Sequence, residues 1–452
     1  MLFFDGTFSY IFGESEFAMP HRFAPLAAAL AAALLASVGH THAQTKAPKA
    51  QLWIDLSTSS FAGMPETDFG GALGGSGLGG ALGGLIGRMG GGAVGLGTPT
   101  SYGQARGLGI ASRVVDVALY NSLKPGVEAS QAIPAGMRMG DALPLVPPAA
   151  PAAIKNSEPG EPQEGEVQRP KGRILMYWGC GAAVAPGQPR VIDLGGNPAA
   201  FAGAFSGRFV PDRSARVNTS YALYPNEKNK FSVPRDASLV GEHRVLGDGV
   251  PASMKFNLGA AQDLMPRIEL QAIGAPQDAI ALNWQPVAQA RAYYLHAFGT
   301  VGDDMVMWSS ADTGDTGLGL FDYLPNATID RWLRERVLLQ PTTSSCQVPR
   351  GIFAGAPSAK GGEGGGLVRM VAYGSESNIA YPPRPADPKA PWEPEWAVRV
   401  RVKSQTTAFL GGAEDKRPGM AGSGRSPAAT EPQGQEAAPP NPINLLKGLF
   451  GR

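Results

Sequence analysis

The chain has 452 residues, of which 61 are glycine and 40 proline, roughly twice the usual combined share, so long stretches are expected as loop, linker or disordered segment. Its 39 basic and 38 acidic side chains leave a net charge of +1, which excludes the strong positive field that general nucleic-acid binding needs. At ~100–200 residues per domain the length allows two or three domains with extensions.

Residues 1–18 carry Asp5, Glu14 and Glu16, the wrong sign for the start of a secretory leader. Met19 opens a better one: His21 and Arg22 form a short basic region, Ala24 to Val38 an apolar run, and Thr41-His42-Ala43 a cleavage site. The expectation is therefore a mis-started extension plus signal peptide over 1–43, with translation from Met19 and cleavage after Ala43. An uncleaved anchor competes, but a helix over this run covers ~22 Å, against a hydrocarbon core of ~30 Å. The mature chain would then be periplasmic or secreted, with outer-membrane association a variant of the same reading. Only Cys180 and Cys346 remain; an even count in an oxidising compartment favours a disulfide over two buried thiols. Closing so long a span would stabilise the fold by roughly 5 kcal/mol on the chain-entropy account.

Residues 50–265 read as an N-terminal β-rich region. Ala50 to Ser57 sets Leu52, Ile54 and Leu56 against Gln51, Trp53 and Asp55, the alternation of a first strand. Between Gly70 and Gly97, glycine recurs at every fourth position from Gly71 to Gly95, with leucines between. The spacing resembles a glycine zipper, in which small residues let apolar helices approach closely in lipid. In water such a helix is implausible, because each glycine costs ~1 kcal/mol relative to alanine, and a flexible insertion is the preferred reading. Ser112 to Tyr120 resumes β alternation, and Pro144 to Pro170 is a Pro/Ala/Glu-rich linker. Gly172 to Gly179, Arg190 to Leu194 and Val240 to Leu246 are further short strands. Short strands between frequent turns favour a mainly β fold, specifically a β-sandwich.

In Ile280 to Gly299, Trp284, Val287, Ala290 and Tyr293 fall at intervals of three, and Leu295 and Ala297 continue an alternation. This looks like the W-x-x-V-x-x-A-x-x-Y signature of fibronectin type III-like domains. The resemblance implies a sandwich module over about 266–349, with Trp284, Val287, Ala290 and Tyr293 as structural core; it implies no activity. Met305 to Ser309 and Arg336 to Gln340 fit later strands, and Ile329, Trp332 and Leu333 mark an inserted helix capped by Asn326.

Residues 350–410 are read as a Pro-rich strap and a C-terminal strand. Pro382, Pro385, Pro388, Pro391 and Pro394 stand three apart, so polyproline II would line them on one face; a strap on the protein's own surface is preferred to a docking ligand. Trp396 to Lys403 sets Val398, Val400 and Val402 against Arg399, Arg401 and Lys403, the pattern of a half-buried strand with a solvated basic face. Residues 411–440 are expected to be disordered, and 441–452 to form a short amphipathic helix.

The chemistry is sparse. Past the leader only His243 and His296 remain, which argues against a histidine-rich metal site. A Cys180 nucleophile would be lost on oxidation, and no G-x-S-x-G elbow supports Ser57, Ser59 or Ser60 in a Ser/His/Asp arrangement. His296 reads as an outward surface residue. Asp303, Asp304, Asp312 and Asp315 flank one strand and could together hold Ca²⁺ through oxygen ligands, although turn chemistry explains Asp and Gly there equally well. The preferred functional reading is a non-catalytic, envelope-associated binding or structural protein whose partner is another protein or an envelope component. The arrangement also resembles exported proteins of Gram-negative bacteria. Two alternatives stay open: a secreted hydrolase of polysaccharide or peptide acting through carboxylates, and a membrane-associating protein using 70–97 or the terminal helix.

Overall fold

A computed structural model describes residues 46–63, 102–106, 113–149, 172–193, 207–210, 212–229, 232–302, 304–355, 365–387 and 390–410. The leader, the glycine-rich repeat, most of the 144–170 linker, Asp303, Pro388, the 411–440 tail and the terminal helix lie outside the described residues. The chain divides into a small unit, Met1–Lys46 with Pro385–Trp392, and a large one, Ala47–Arg384 with Glu393–Arg452. All elements named below belong to the large unit.

The strands run in chain order as β1 (Ala50–Phe61), β2 (Arg113–Asn121), β3 (Ala129–Ala132), β4 (Ala142–Leu145), β5 (Arg173–Trp178), β6 (Arg190–Asp193), β7 (Tyr221–Tyr224), β8 (Gly241–Gly247) and β9 (Lys255–Leu258). They continue as β10 (Gln271–Ile273), β11 (Ile280–Asn283), β12 (Ala292–Val301), β13 (Asp304–Ser309), β14 (Ser345–Val348), β15 (Gly365–Tyr381) and β16 (Trp396–Leu410), with helix α1 (Asn326–Arg334) between β13 and β14. The fold is mainly β. A nine-stranded sheet has the order β6-β5-β13-β12-β15-β16-β1-β2-β7, and two smaller sheets have the orders β10-β11-β14 and β4-β3-β8-β9.

Strand period puts alternate side chains on opposite faces of the large sheet. On one face Leu52, Ile54, Val115, Val117, Leu295, Met370, Val398 and Val400 join Ile280, Leu282 and Val348 of the three-stranded sheet and Leu143, Val245 and Phe256 of the four-stranded one in a single apolar core. Both small sheets therefore pack on the same face. Each large aliphatic side chain buried there contributes roughly 1.5–3 kcal/mol. Trp284, just past β11, and Tyr293 on β12 meet in this core with ring centroids 5.6 Å apart at 70°, and the Tyr293 hydroxyl accepts the Val287 N–H at 2.8 Å. Val287 is buried and Ala290 packs, half-buried, against the same core.

Cys180, in the loop after β5, is bonded to Cys346 on β14 across 166 residues. Backbone bonds from Gly181 to Gln347 and from Arg350 to Ala182, at 3.0 and 3.1 Å, flank the bridge.

Three local expectations change. Arg336 to Gln340 is not a strand: Val337 and Leu338, adjacent in sequence, both enter the cluster that holds α1, which strand alternation forbids, and only Leu339 makes an isolated bridge, to Tyr293. Asn326 does not cap α1; Pro325 holds that position. Its amide instead bonds the backbone of Glu376 in both directions, at 2.8 and 2.9 Å, where the β15–β16 register shifts between Tyr373 and Glu376. The basic row of β16 is not solvated either, since β16 lies between β15 and β1 and Arg401 and Lys403 are buried.

Candidate functional site: a buried charge layer

The second face of the large sheet carries the polar half of each alternation. Across the antiparallel β1–β2 pair Asp55 stands opposite Asp116, and across the parallel β1–β16 pair it stands opposite Arg401. The next rank pairs Ser57 with Lys403, and a further one sets Arg369 of β15 beside His296 of β12. The register alone thus assembles two carboxylates, three cations and an imidazole on one face. Residues 102–106 and the stretch 312–323 cover them.

Arg401 grips Asp55 with two bonds, Nε to Oδ1 at 2.7 Å and Nη2 to Oδ2. Burial works against its charge, but Asp55 outweighs it and raises the guanidinium pKa. Asp116 accepts the Ala105 N–H at 2.8 Å, yet burial dominates and pushes its carboxyl up to about 8. Lys403 donates to the Phe321 carbonyl at 3.0 Å; burial pushes its amine down to about 7, against the pull of Asp322. For Arg369, whose guanidinium lies 4.3 Å from the Phe321 ring centroid, burial pushes the value down to about 10. Burial would lift Asp322, but Lys403 and Arg106 hold it below the usual carboxylate range, and Arg106 Nε reaches it at 2.8 Å. Burial thus favours the neutral forms of Asp116 and Lys403, while Asp55 with Arg401 and Asp322 with Arg106 form the bonded pairs of the layer.

This charge fastens the cover. Four consecutive residues are each held by a different element: Leu320 by the Tyr373 hydroxyl, Phe321 by Lys403, Asp322 by Arg106, and Tyr323, whose hydroxyl donates to the Leu56 carbonyl at 2.8 Å. Arg401 and Lys403 also lie over the Tyr323 ring, at 4.6 and 4.8 Å.

The residues singled out from sequence fall as follows. Asp304 pairs with Arg173, Asp312 with Arg336 and Asp315 with Arg208; among the described residues no group of three or more His, Cys, Asp or Glu converges. Asp315 also accepts the Gly317 N–H at 2.7 Å and so shapes the covering loop. His243 is a core residue: Nδ1 lies 3.0 Å from Gln131 Nε2, Nε2 lies 2.8 Å from the Leu239 carbonyl, and its ring stacks on Phe256. His296, expected outward, does face away from Tyr293 but is buried beneath the cover, and burial pushes its imidazole down to about 4. Ser57, Ser59 and Ser60 sit on β1, three strands from His296 on β12.

Sequence reasoning missed Asp55, Asp116, Arg369, Arg106 and Asp322. One signal was available: the rows that hold Asp55 and Asp116 also contain Trp53 and Ala118, too apolar for a face in water. Among the described residues no helix is long and apolar enough to cross a membrane. Comparison with protein-family models, with curated proteins and with solved structures finds no match.

Proposed function

We propose that this chain is an exported, non-catalytic protein of the cell envelope, built on a fibronectin type III-like sandwich and serving in binding or structural support. The sandwich reading is supported by the division of seven consecutive strands. In immunoglobulin-like sandwiches the first, second and fifth strands share one sheet, and the third and the last two share the other. Here β10, β11 and β14 stand in the first set, β12, β15 and β16 in the second, and β13 joins beside β12. On this reading the module runs from β10 to β16, beyond residue 349, and β1, β2 and β7 extend its larger sheet.

The observation that carries the exported reading is the Cys180–Cys346 bond, a cross-link that persists in oxidising compartments. The non-catalytic reading rests on the charge layer, whose groups are engaged in fastening the cover. Fractionation of expressing cells, with thiol alkylation before and after reduction, tests it. The expected result is a chain shortened at Ala43, outside the cytosol, whose cysteines alkylate only after reduction. A full-length cytosolic chain with two reactive thiols would overturn it.

A further inference from the structure

The Cys180–Cys346 bond joins two cysteines in unlike surroundings. Cys346 stands on β14 opposite Leu282 of β11, is 4% exposed and belongs to the main apolar core. Cys180 is exposed, and so are residues 182–186 of the loop that follows it. At the two ends of that loop Gly179 and Gly187 have φ of +93° and +82°, and a Cβ at either position would meet nothing within 4 Å. The loop therefore stands clear of the surrounding chain on the side that carries Cys180.

The place of the loop does not depend on the sulfurs. At its neck the Gln188 amide bonds the Trp178 backbone in both directions, each at 3.0 Å. The Gly179 N–H donates to the Ser309 carbonyl at 2.9 Å, and the Gly179 carbonyl accepts the Trp308 indole N–H at 3.0 Å. With the flanking backbone bonds to Gln347 and from Arg350, these contacts keep Cys180 beside Cys346 whether or not the sulfurs are joined.

Thiol–disulfide exchange proceeds by attack of a thiolate on one sulfur, and access decides which sulfur is attacked. A thiol in an apolar core is disfavoured as thiolate, whereas an exposed one ionises more readily. Residues 174–189 include no charged side chain, so a thiolate that approaches Cys180 meets no carboxylate from this segment.

We propose that Cys180 is an exchange site, the sulfur through which a partner bearing a reactive cysteine pair makes and opens this cross-link. In the forming direction the Cys180 thiolate attacks a sulfur of the partner's disulfide, whose other sulfur leaves as thiolate. Cys346 then loses its proton and attacks Cys180 Sγ, which expels the partner's second thiolate. Two electrons pass from the chain to the partner, and the partner's disulfide ends as a dithiol. Opening runs the same steps backwards, with the partner's thiolate attacking Cys180 and the electron pair of the broken bond going to Cys346.

The test starts from the oxidised, folded, full-length protein and uses reduced glutathione as the probe. Samples are quenched with acid, unfolded, alkylated and digested for mass spectrometry. The expected first product carries glutathione on Cys180 and the alkyl group on Cys346, and exceeds the converse product by about tenfold or more. Equal labelling, or a predominance of the converse, overturns the proposal; so does the lack of any adduct from folded protein under conditions where urea-unfolded protein gives both. The forming direction is read with glutathione disulfide on two variants. Cys346→Ser should take up one glutathione without denaturant, and Cys180→Ser only in urea. A Cys180→Ser protein that keeps a cooperative urea transition yet reacts as fast as Cys346→Ser would also overturn the site. These readouts need the bond but not the exported reading, which fractionation tests separately, so either can fail without the other.

Discussion

Asp55 and Arg401, 346 residues apart, face each other across parallel strands and exchange two hydrogen bonds within a layer from which water is excluded. Two such charges leave water at considerable cost, and only their mutual geometry offsets it.

Removing one partner strands the other. Asp55→Asn or Arg401→Met should each lower unfolding free energy by about 3–5 kcal/mol, whereas a double replacement by apolar residues should cost far less than the sum. Urea denaturation of the single and double variants gives the coupling directly, and additive losses would show that the pair is not a unit.

Lys403 and Asp116 make stability depend on pH in opposite directions. Asp116 is raised to about 8 in the fold, so its contribution is fully present below about 4 and is lost as pH rises towards about 8; Asp116→Asn should gain on the parent across that window. Lys403 is depressed to about 7, so its contribution is present above about 10.5 and lost as pH falls towards about 7; Lys403→Met should gain on the parent in that direction. Melting curves at closely spaced pH values read both signs, and parallel profiles for parent and variants would refute the assignment.

Reduction of Cys180–Cys346, or Cys346→Ser, should cost about 2–5 kcal/mol, because the bond closes a very long loop in the unfolded chain. Denaturation with and without reductant should show the difference for the parent and none for the variant.

Gly317→Ala places a side chain at positive φ and against Tyr294. A loss of more than about 1 kcal/mol is expected, with hydrogen exchange accelerated first in residues 312–323. Unaltered exchange there would mean that the loop does not depend on this close approach.

A fragment limited to residues 266–349 should not fold, since β12 pairs with β15 and β15 with β16. A cooperative thermal transition in that fragment would contradict this.

Sequence pattern revealed those strands whose two faces differ chemically. The valine row of β16 and the leucine and isoleucine row of β1 stand out because arginine, lysine and aspartate lie between them. The same contrast misled about burial, since a charged row is normally solvated, and here a second layer of chain covers it. β15 escaped notice for the opposite reason: Leu367 to Tyr373 is buried on both faces, so its apolar run shows little alternation. The Trp284 and Tyr293 pair was legible because aromatic size at fixed spacing survives without context. The charge layer needs strands from opposite ends of the chain in register, which no local window contains.

The parallel seam between β1 and β16 also bears on how the molecule comes into being. The strand made near the start of synthesis has no neighbour on that side until almost the whole chain has been produced, and contacts so distant form slowly. The widest sheet is therefore completed only when the last strand inserts between β15 and β1.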